Sequence, residues 1–246
     1  MALPVRSHPS PPLVYAHRGS SASFPELTRA AFVEALADGA DGVECDVHLS
    51  SDGHLVLHHD AQLGRTSDGL GALADHTLAQ LRNVDYSSWK GVAVPDTHGA
   101  AGEQFMTLDE LLDLLLAAGR PVGLAVEMKH PSPRGRGLED ALLALLERRG
   151  WDPRTGRLGT VLVSLMSFDA DAVSHLLERA APAVVCQLVD ENSGEREREN
   201  LSGRAASTSS PVPAAQLPLA GPGIGFVRAH ITEWASVIRT SEDQTP

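Results

Sequence analysis

The chain of 246 residues is short of several things, and each shortage closes off a class of function. It has only two cysteines, Cys45 and Cys186, and both sit in apolar runs. That is no disulfide framework, and it fits a reduced, cytoplasmic protein. It lacks a basic excess: the formal net charge is -12. Nucleic-acid binders need a basic surface, and so does electrostatic docking on anionic membranes, so neither partner is expected. No apolar run approaches the length of a membrane span, and stable membrane insertion is not expected. The opening MALPVRSHPSPPLVYAHRG has no apolar core or cleavage-site pattern of a signal peptide. Hydrophobic residues make up 42% of the chain, which is enough for a large core and suits one domain of α/β-barrel size.

What is present concentrates between Asp41 and Asp60, DGVECDVHLSSDGHLVLHHD, with five carboxylates and four histidines. The stretch alternates. Glu44, Asp46 and His48 point to one face of a strand, and Val43, Cys45, Val47 and Leu49 to the other. A turn at Ser51-Asp52-Gly53 leads back through Leu55-Val56-Leu57 to His59-Asp60.

Around it, strands and helices alternate. After a Pro/Ser-rich leader (1–12) come a strand at Leu13–Ala16, a helix at Glu26–Asp38 and strands at Gly42–Leu49 and Leu55–Leu57. A long polar segment, 61–105, reads as an insertion, with a short helix at Leu78–Arg82. Thr107 and Glu110 form a capping box before the run Leu111–Ala118. A strand at Val122–Met128, a helix at Leu138–Arg149, a strand at Val161–Met166, a helix at Asp169–Arg179 and a strand at Ala183–Val189 follow. This pattern means a parallel α/β sheet, open or closed into a barrel. Residues 190–222 read as a linker. The divergent end, 223–246, offers a short strand at Gly223–Val227 and a weak helix.

Parallel sheets gather ligands at the carboxyl ends of their strands. Here those ends carry His17-Arg18, Glu44 and Asp46, His59, and Glu127-x-Lys129. Three carboxylates (Glu44, Asp46, Glu127) without a cysteine pair suit a hard divalent cation, Mg²⁺ or Ca²⁺. Arg18 and Lys129 suit a phosphoryl oxygen. His17 and His59 suit proton transfer near neutral pH. Each residue alone has a plainer reading. Glu44-x-Asp46 fits an exposed edge, Glu127-x-Lys129 a surface ion pair, and His58-His59 a polar loop. His48, His54, His58 and His98 read as surface or supporting groups. Only the joint placement at several strand ends favours function.

In order and spacing, the chain resembles the glycerophosphodiester phosphodiesterase family. The resemblance runs through His17-Arg18-Gly19, Pro25-Glu26-Leu27-Thr28, Gly39 to Val47, Asp52-Gly53 and His59-Asp60. It continues with Arg65-Thr66, Thr107 to Glu110, Glu127-Met128-Lys129 and Ser167-Phe168-Asp169, covering about residues 13–190. It implies a TIM (β/α)8-type barrel, with a cation on Glu44, Asp46 and Glu127, His17 and His59 as the acid/base pair, and Arg18 and Lys129 on the phosphate. The implied reaction is metal-dependent hydrolysis of glycerophosphodiesters to glycerol 3-phosphate and an alcohol. Two departures stand out. Leu27 replaces a polar residue of the Pro-Glu-Asn-Thr motif, which would alter a loop hydrogen bond. The family's later Trp-Thr-Val-Asn and Thr-Asp strands are not found, so the expectation is a barrel without its last two strands. Two alternatives stay open: a truncated, inactive member, and a phosphodiesterase acting on lysophospholipids.

Overall fold

The computed structural model describes residues 13–188. Seven strands form one sheet among these residues, in the path β1-β2-β4-β6-β5. The strands are β1 (Tyr15–His17), β2 (Gly42–Leu49), β3 (Leu55–Leu57), β4 (Val122–Met128), β5 (Arg157–Leu158), β6 (Val161–Ser167) and β7 (Val185–Gln187). The spine β1, β2, β4, β6 is parallel, as the βα alternation requires. β3 folds back antiparallel on the second half of β2, and β7 joins β6 in parallel. The described strands form an arc of a TIM-type barrel, with the helices outside. The strand expected at Gly223–Val227, the leader and the linker lie outside the described residues. No described helix is long and apolar enough to cross a membrane.

The helices are α1 (Arg29–Ala37), α2 (Leu78–Leu81), α3 (Leu108–Leu116), α4 (Gly137–Arg148) and α5 (Ala170–Leu177). Their starts are built by side chains. Thr28 caps α1 by accepting from Ala31 N at 3.3 Å. Thr107 and Glu110 make the reciprocal capping box of α3, with Thr107 N donating to Glu110 Oε2 at 2.8 Å. Asp169 caps α5. Each cap stabilises by about 1 kcal/mol. Burial contributes more. Leu111, Leu112 and Leu115 of α3 and Leu138, Leu142 and Leu146 of α4 pack with Val43, Cys45 and Val47 in one core. Each buried leucine contributes about 1.5–3 kcal/mol, an upper bound given a compact unfolded chain.

The apolar face of β2 therefore looks outward to the helices, and its acidic face looks into the barrel. All eight residues of β2 are buried. The solvated-edge reading of Glu44 and Asp46 fails because β4 pairs along one side of β2 while β1 and β3 share the other. Tyr15 lies across the sheet under this face. A Cβ at Gly123 would stand 2.0 Å from its hydroxyl, and one at Gly42 would stand 2.4 Å from its ring. Residues 61–105 pack on Val56 of β3 in a second, smaller core with Leu63, Leu73, Leu81, Tyr86 and Phe105, the last two rings stacked at 4.4 Å.

Three local differences from the sequence reading have physical causes. β5 is two residues long and offers no periodicity to read. β1 begins at Tyr15, where pairing with Gly42 starts, and this brings His17 into the strand. Leu27 takes a left-handed backbone, φ 59°, with its side chain in the core. An amide-bearing residue tolerates that conformation, whereas leucine strains by about 1–2 kcal/mol, a cost of the same order as its burial gain. The backbone hydrogen bond of the loop, from Leu27 N to Arg18 O at 3.0 Å, is nonetheless made.

Candidate active site at the strand ends

Register builds the site. β1 and β2 pair so that His17 faces Glu44, and β2 and β4 pair so that Asp46 faces Glu127. Neighbouring strands thus bring together three acids spread over more than eighty residues of chain. Ligand oxygens of Glu44, Asp46 and Glu127 lie within 4.8 Å of one another, and all three residues are buried. Burial pushes the Glu44 carboxyl well above the usual range, and Asp46 and Glu127 push it further. Glu127 is raised in the same way, by burial first and then by Asp46.

Two cations answer this charge. Lys129 Nζ lies 2.6 Å from Glu127 Oε1 and 2.9 Å from Asp46 Oδ1. Burial pulls the Lys129 amine down, but Asp46 and Glu127 outweigh it and hold it raised. Arg18 Nε lies 3.2 Å from Asp46 Oδ2, and its Nη1 donates to Glu26 Oε1 at 3.0 Å. The Arg18 backbone is left-handed, φ 58°, and its N–H donates to Glu44 Oε2. Gly19 next to it has φ 78° and packs so close to α1 that a Cβ would meet the Ala31 backbone at 2.7 Å. Even so, the buried oxygen Glu44 Oε1 has no hydrogen-bond partner. An orphaned carboxylate oxygen inside a cluster of three acids fits a divalent cation with oxygen ligands.

The histidines differ. His17 stands at the end of β1, its Nε2 3.8 Å from Glu44 Oε2. Burial, helped by Arg18, brings it down to about 4. His59 follows β3 and is held from behind: its Nδ1 donates to Asp60 Oδ1 at 2.6 Å. Asp60 in turn accepts from Arg65 Nε at 2.5 Å, and Arg65 Nη2 reaches Glu26 Oε1 at 2.7 Å. Arg65 therefore ties the support of His59 to the support of Arg18. The sequence reading gave Glu26, Asp60 and Arg65 no role, although Asp60 directly follows His59.

His48 and His58 are buried, at 8% and 3% exposure, which leaves the supporting one of their two readings. His48 Nε2 bonds the His59 carbonyl, and His58 Nδ1 bonds the Asp60 carbonyl. His54 is half exposed and pairs with Asp52. Ser164 and Ser167 donate to backbone carbonyls of β4 and take no part. A cleft of about 730 Å³ opens on the His59, Glu127 and Lys129 side of the site, with His48, His130 and Phe168 also among its walls.

Residues 17–229 match the model of the glycerophosphoryl diester phosphodiesterase family. The match extends past the motifs that carry the sequence resemblance. The chain is 44% identical over 209 residues to a Mycobacterium tuberculosis protein named probable glycerophosphodiester phosphodiesterase 1, covering 84% of this chain and 73% of that one. It is 32% identical over 174 residues to a Bacillus subtilis glycerophosphodiester phosphodiesterase, covering 70% and 58%. Among solved structures, an Oleispira antarctica phosphodiesterase in complex with the product sn-glycerol-3-phosphate matches with a TM-score of 0.59 at 29% identity, over 76% of this chain and 71% of that one.

Proposed function

Because the chain belongs to the glycerophosphoryl diester phosphodiesterase family, we propose that it hydrolyses glycerophosphodiesters to glycerol 3-phosphate and an alcohol, with Glu44, Asp46 and Glu127 holding a divalent cation. The observation that carries this reading is the buried acid cluster with an orphaned oxygen at Glu44. Lys129 and Arg18 flank it, and a cleft opens on its Glu127 and Lys129 side. The cation, when bound, supplies charge neutralisation at the phosphodiester. Arg18 and Lys129 turn from Asp46 toward the phosphate oxygens, Arg18 as a fork and Lys129 as a point charge. His17 takes the proton of the attacking water as its oxygen bonds to phosphorus. His59, fixed by Asp60 through Nδ1, gives a proton to the departing alcohol oxygen as the P–O bond breaks. Net charge and atoms balance, and the enzyme resets when His17 releases its proton to water and His59 takes one up.

Glycerol 3-phosphate release from glycerophosphocholine, followed with EDTA and after adding back Mg²⁺ or Ca²⁺, tests the reading. Release that stops on chelation and returns with the cation is expected. Activity surviving chelation together with His17→Ala and His59→Ala would sink it.

A further inference from the structure

One buried acid takes no part in the chemistry above. Glu139 stands in the first turn of α4 and is fully buried. Its Oε1 accepts a hydrogen bond from His130 Nε2 at 2.7 Å, while Oε2 has no partner. Burying a carboxylate with half its acceptors idle is costly. The helix N-terminus offsets part of the cost, but the packing of α4 does not ask for an acid there. Leu138, Leu142, Leu145 and Leu146 of the same helix fill the core. What Glu139 does is hold one imidazole.

That imidazole belongs to the cleft. His130 directly follows Lys129 and lines the same wall. With its Nε2–H given to Glu139, its other nitrogen, Nδ1, is left as an acceptor. Neighbouring polar groups of the cleft are already engaged. Ser167 donates to the Met128 carbonyl, Asp169 caps α5, and His48 bonds the His59 carbonyl. An oriented acceptor one residue from the proposed phosphate-binding lysine is suited to a hydroxyl donor. In a glycerophosphodiester, the hydroxyls common to every substrate are those of the glycerol.

We propose that His130, held in place by Glu139, is a specificity-determining residue that accepts a hydrogen bond from a glycerol hydroxyl of the substrate. The proposal rests on the glycerophosphodiesterase reading, and two separate readouts keep the two apart. The first is binding without turnover: calorimetric affinities for sn-glycerol 3-phosphate and for inorganic phosphate. The second is turnover of glycerophosphocholine against bis(p-nitrophenyl) phosphate, which has no glycerol.

The reporting variant is the double change His130→Phe/Glu139→Leu, which removes both partners and strands no buried charge. It should bind phosphate as the unsubstituted protein does, within about twofold, and bind glycerol 3-phosphate about tenfold more weakly, the worth of one hydrogen bond. Its KM for glycerophosphocholine should rise by a similar factor with kcat little changed, and turnover of the nitrophenyl diester should hold. Glu139→Gln, whose amide oxygen still accepts from Nε2, should keep the preference. If the double variant does not melt cooperatively, His130→Ala/Glu139→Gln, which likewise strands no buried charge, carries the same expectation.

Equal weakening toward both ligands, an unchanged ratio, or an unsubstituted protein that binds glycerol 3-phosphate no better than phosphate overturns the proposal. A protein that cleaves the nitrophenyl diester and no glycerophosphodiester overturns the functional reading instead, and the binding ratio still reports on His130.

Discussion

The molecule holds two groups of buried or half-buried acids bridged by Arg18, and they are treated in opposite ways. On the sheet, the Glu44 and Glu127 carboxyls are pushed up, and Glu44 Oε1 has no partner. On the rim, Glu26 and Asp60 are clamped by Arg65. Burial pushes both rim carboxyls up, yet Arg65 outweighs it and holds them low, Asp60 at about 2. The rim is complete as it stands and serves to fix His59 and Arg18. The sheet cluster is electrostatically incomplete, as the proposed cation site requires.

The sharpest way to break this comparison is to remove a sheet acid. Asp46→Ala should lower turnover by about 10³-fold or more, as loss of transition-state charge stabilisation does. The stability effect has the opposite sign. In EDTA, Glu44→Gln should melt higher than the unsubstituted protein, because it relieves repulsion among three acids. Adding Mg²⁺ or Ca²⁺ should then raise the melting temperature of the unsubstituted protein by about 5–10 °C at a hundred times the Kd, and that of the variant far less. Equal melting shifts in both proteins would show that the cluster does not hold the ion.

Next in size are the histidines. His59→Ala and His17→Ala should each lower kcat by about 10²- to 10³-fold while leaving the cation-induced melting shift in place. Loss of that shift in either variant would move the histidine from proton transfer to holding the cluster together.

Arg65 tests the rim. Arg65→Ala frees Asp60 and Glu26 together, so His59 and Arg18 lose their support at once. Turnover should fall by about ten- to a hundredfold through misplacement. Arg65→Lys should not restore it, because one ammonium cannot span both carboxylates as the guanidinium fork does. Full rescue by lysine would reduce Arg65 to a source of positive charge.

How much of this was legible in the sequence follows from the reach of each interaction. β2, β3 and β4 have the bounds that alternation and turn residues imply, because period-two patterning and a Ser-Asp-Gly turn are local signals. The convergence of Glu44, Asp46 and Glu127 was legible too, since parallel pairing puts like positions of β2 and β4 side by side. Arg65 was not: it meets Glu26 across 39 residues, in a loop without periodicity. Glu139 was hidden differently. An acid in the first turn of a helix reads as a favourable dipole contact, and only the packing shows that it is buried against His130. The left-handed backbone at Leu27 left no trace, because leucine is a residue that seldom adopts it.

The smallest effect separates the rim from the sheet by pH. Burial raises Asp60, but the hydrogen bonds from Arg65 and His59 outweigh it and bring the carboxyl down to about 2. A carboxyl depressed in the folded state stabilises the fold above its unfolded value, and that contribution disappears as pH falls through the folded value. Asp60 should therefore contribute fully above about pH 5, lose its contribution between about pH 4 and pH 2, and add nothing below that range. Asp60 is partly open to water, so screening limits the contribution to about 1 kcal/mol. Urea midpoints of the unsubstituted protein and of Asp60→Asn should differ by a constant amount near neutrality and converge in that acid window. A gap that persists at pH 2 would mean that Asp60 acts through packing and hydrogen bonding that do not depend on its charge. The rim would then owe its rigidity to shape, and the contrast with the sheet cluster would no longer be electrostatic.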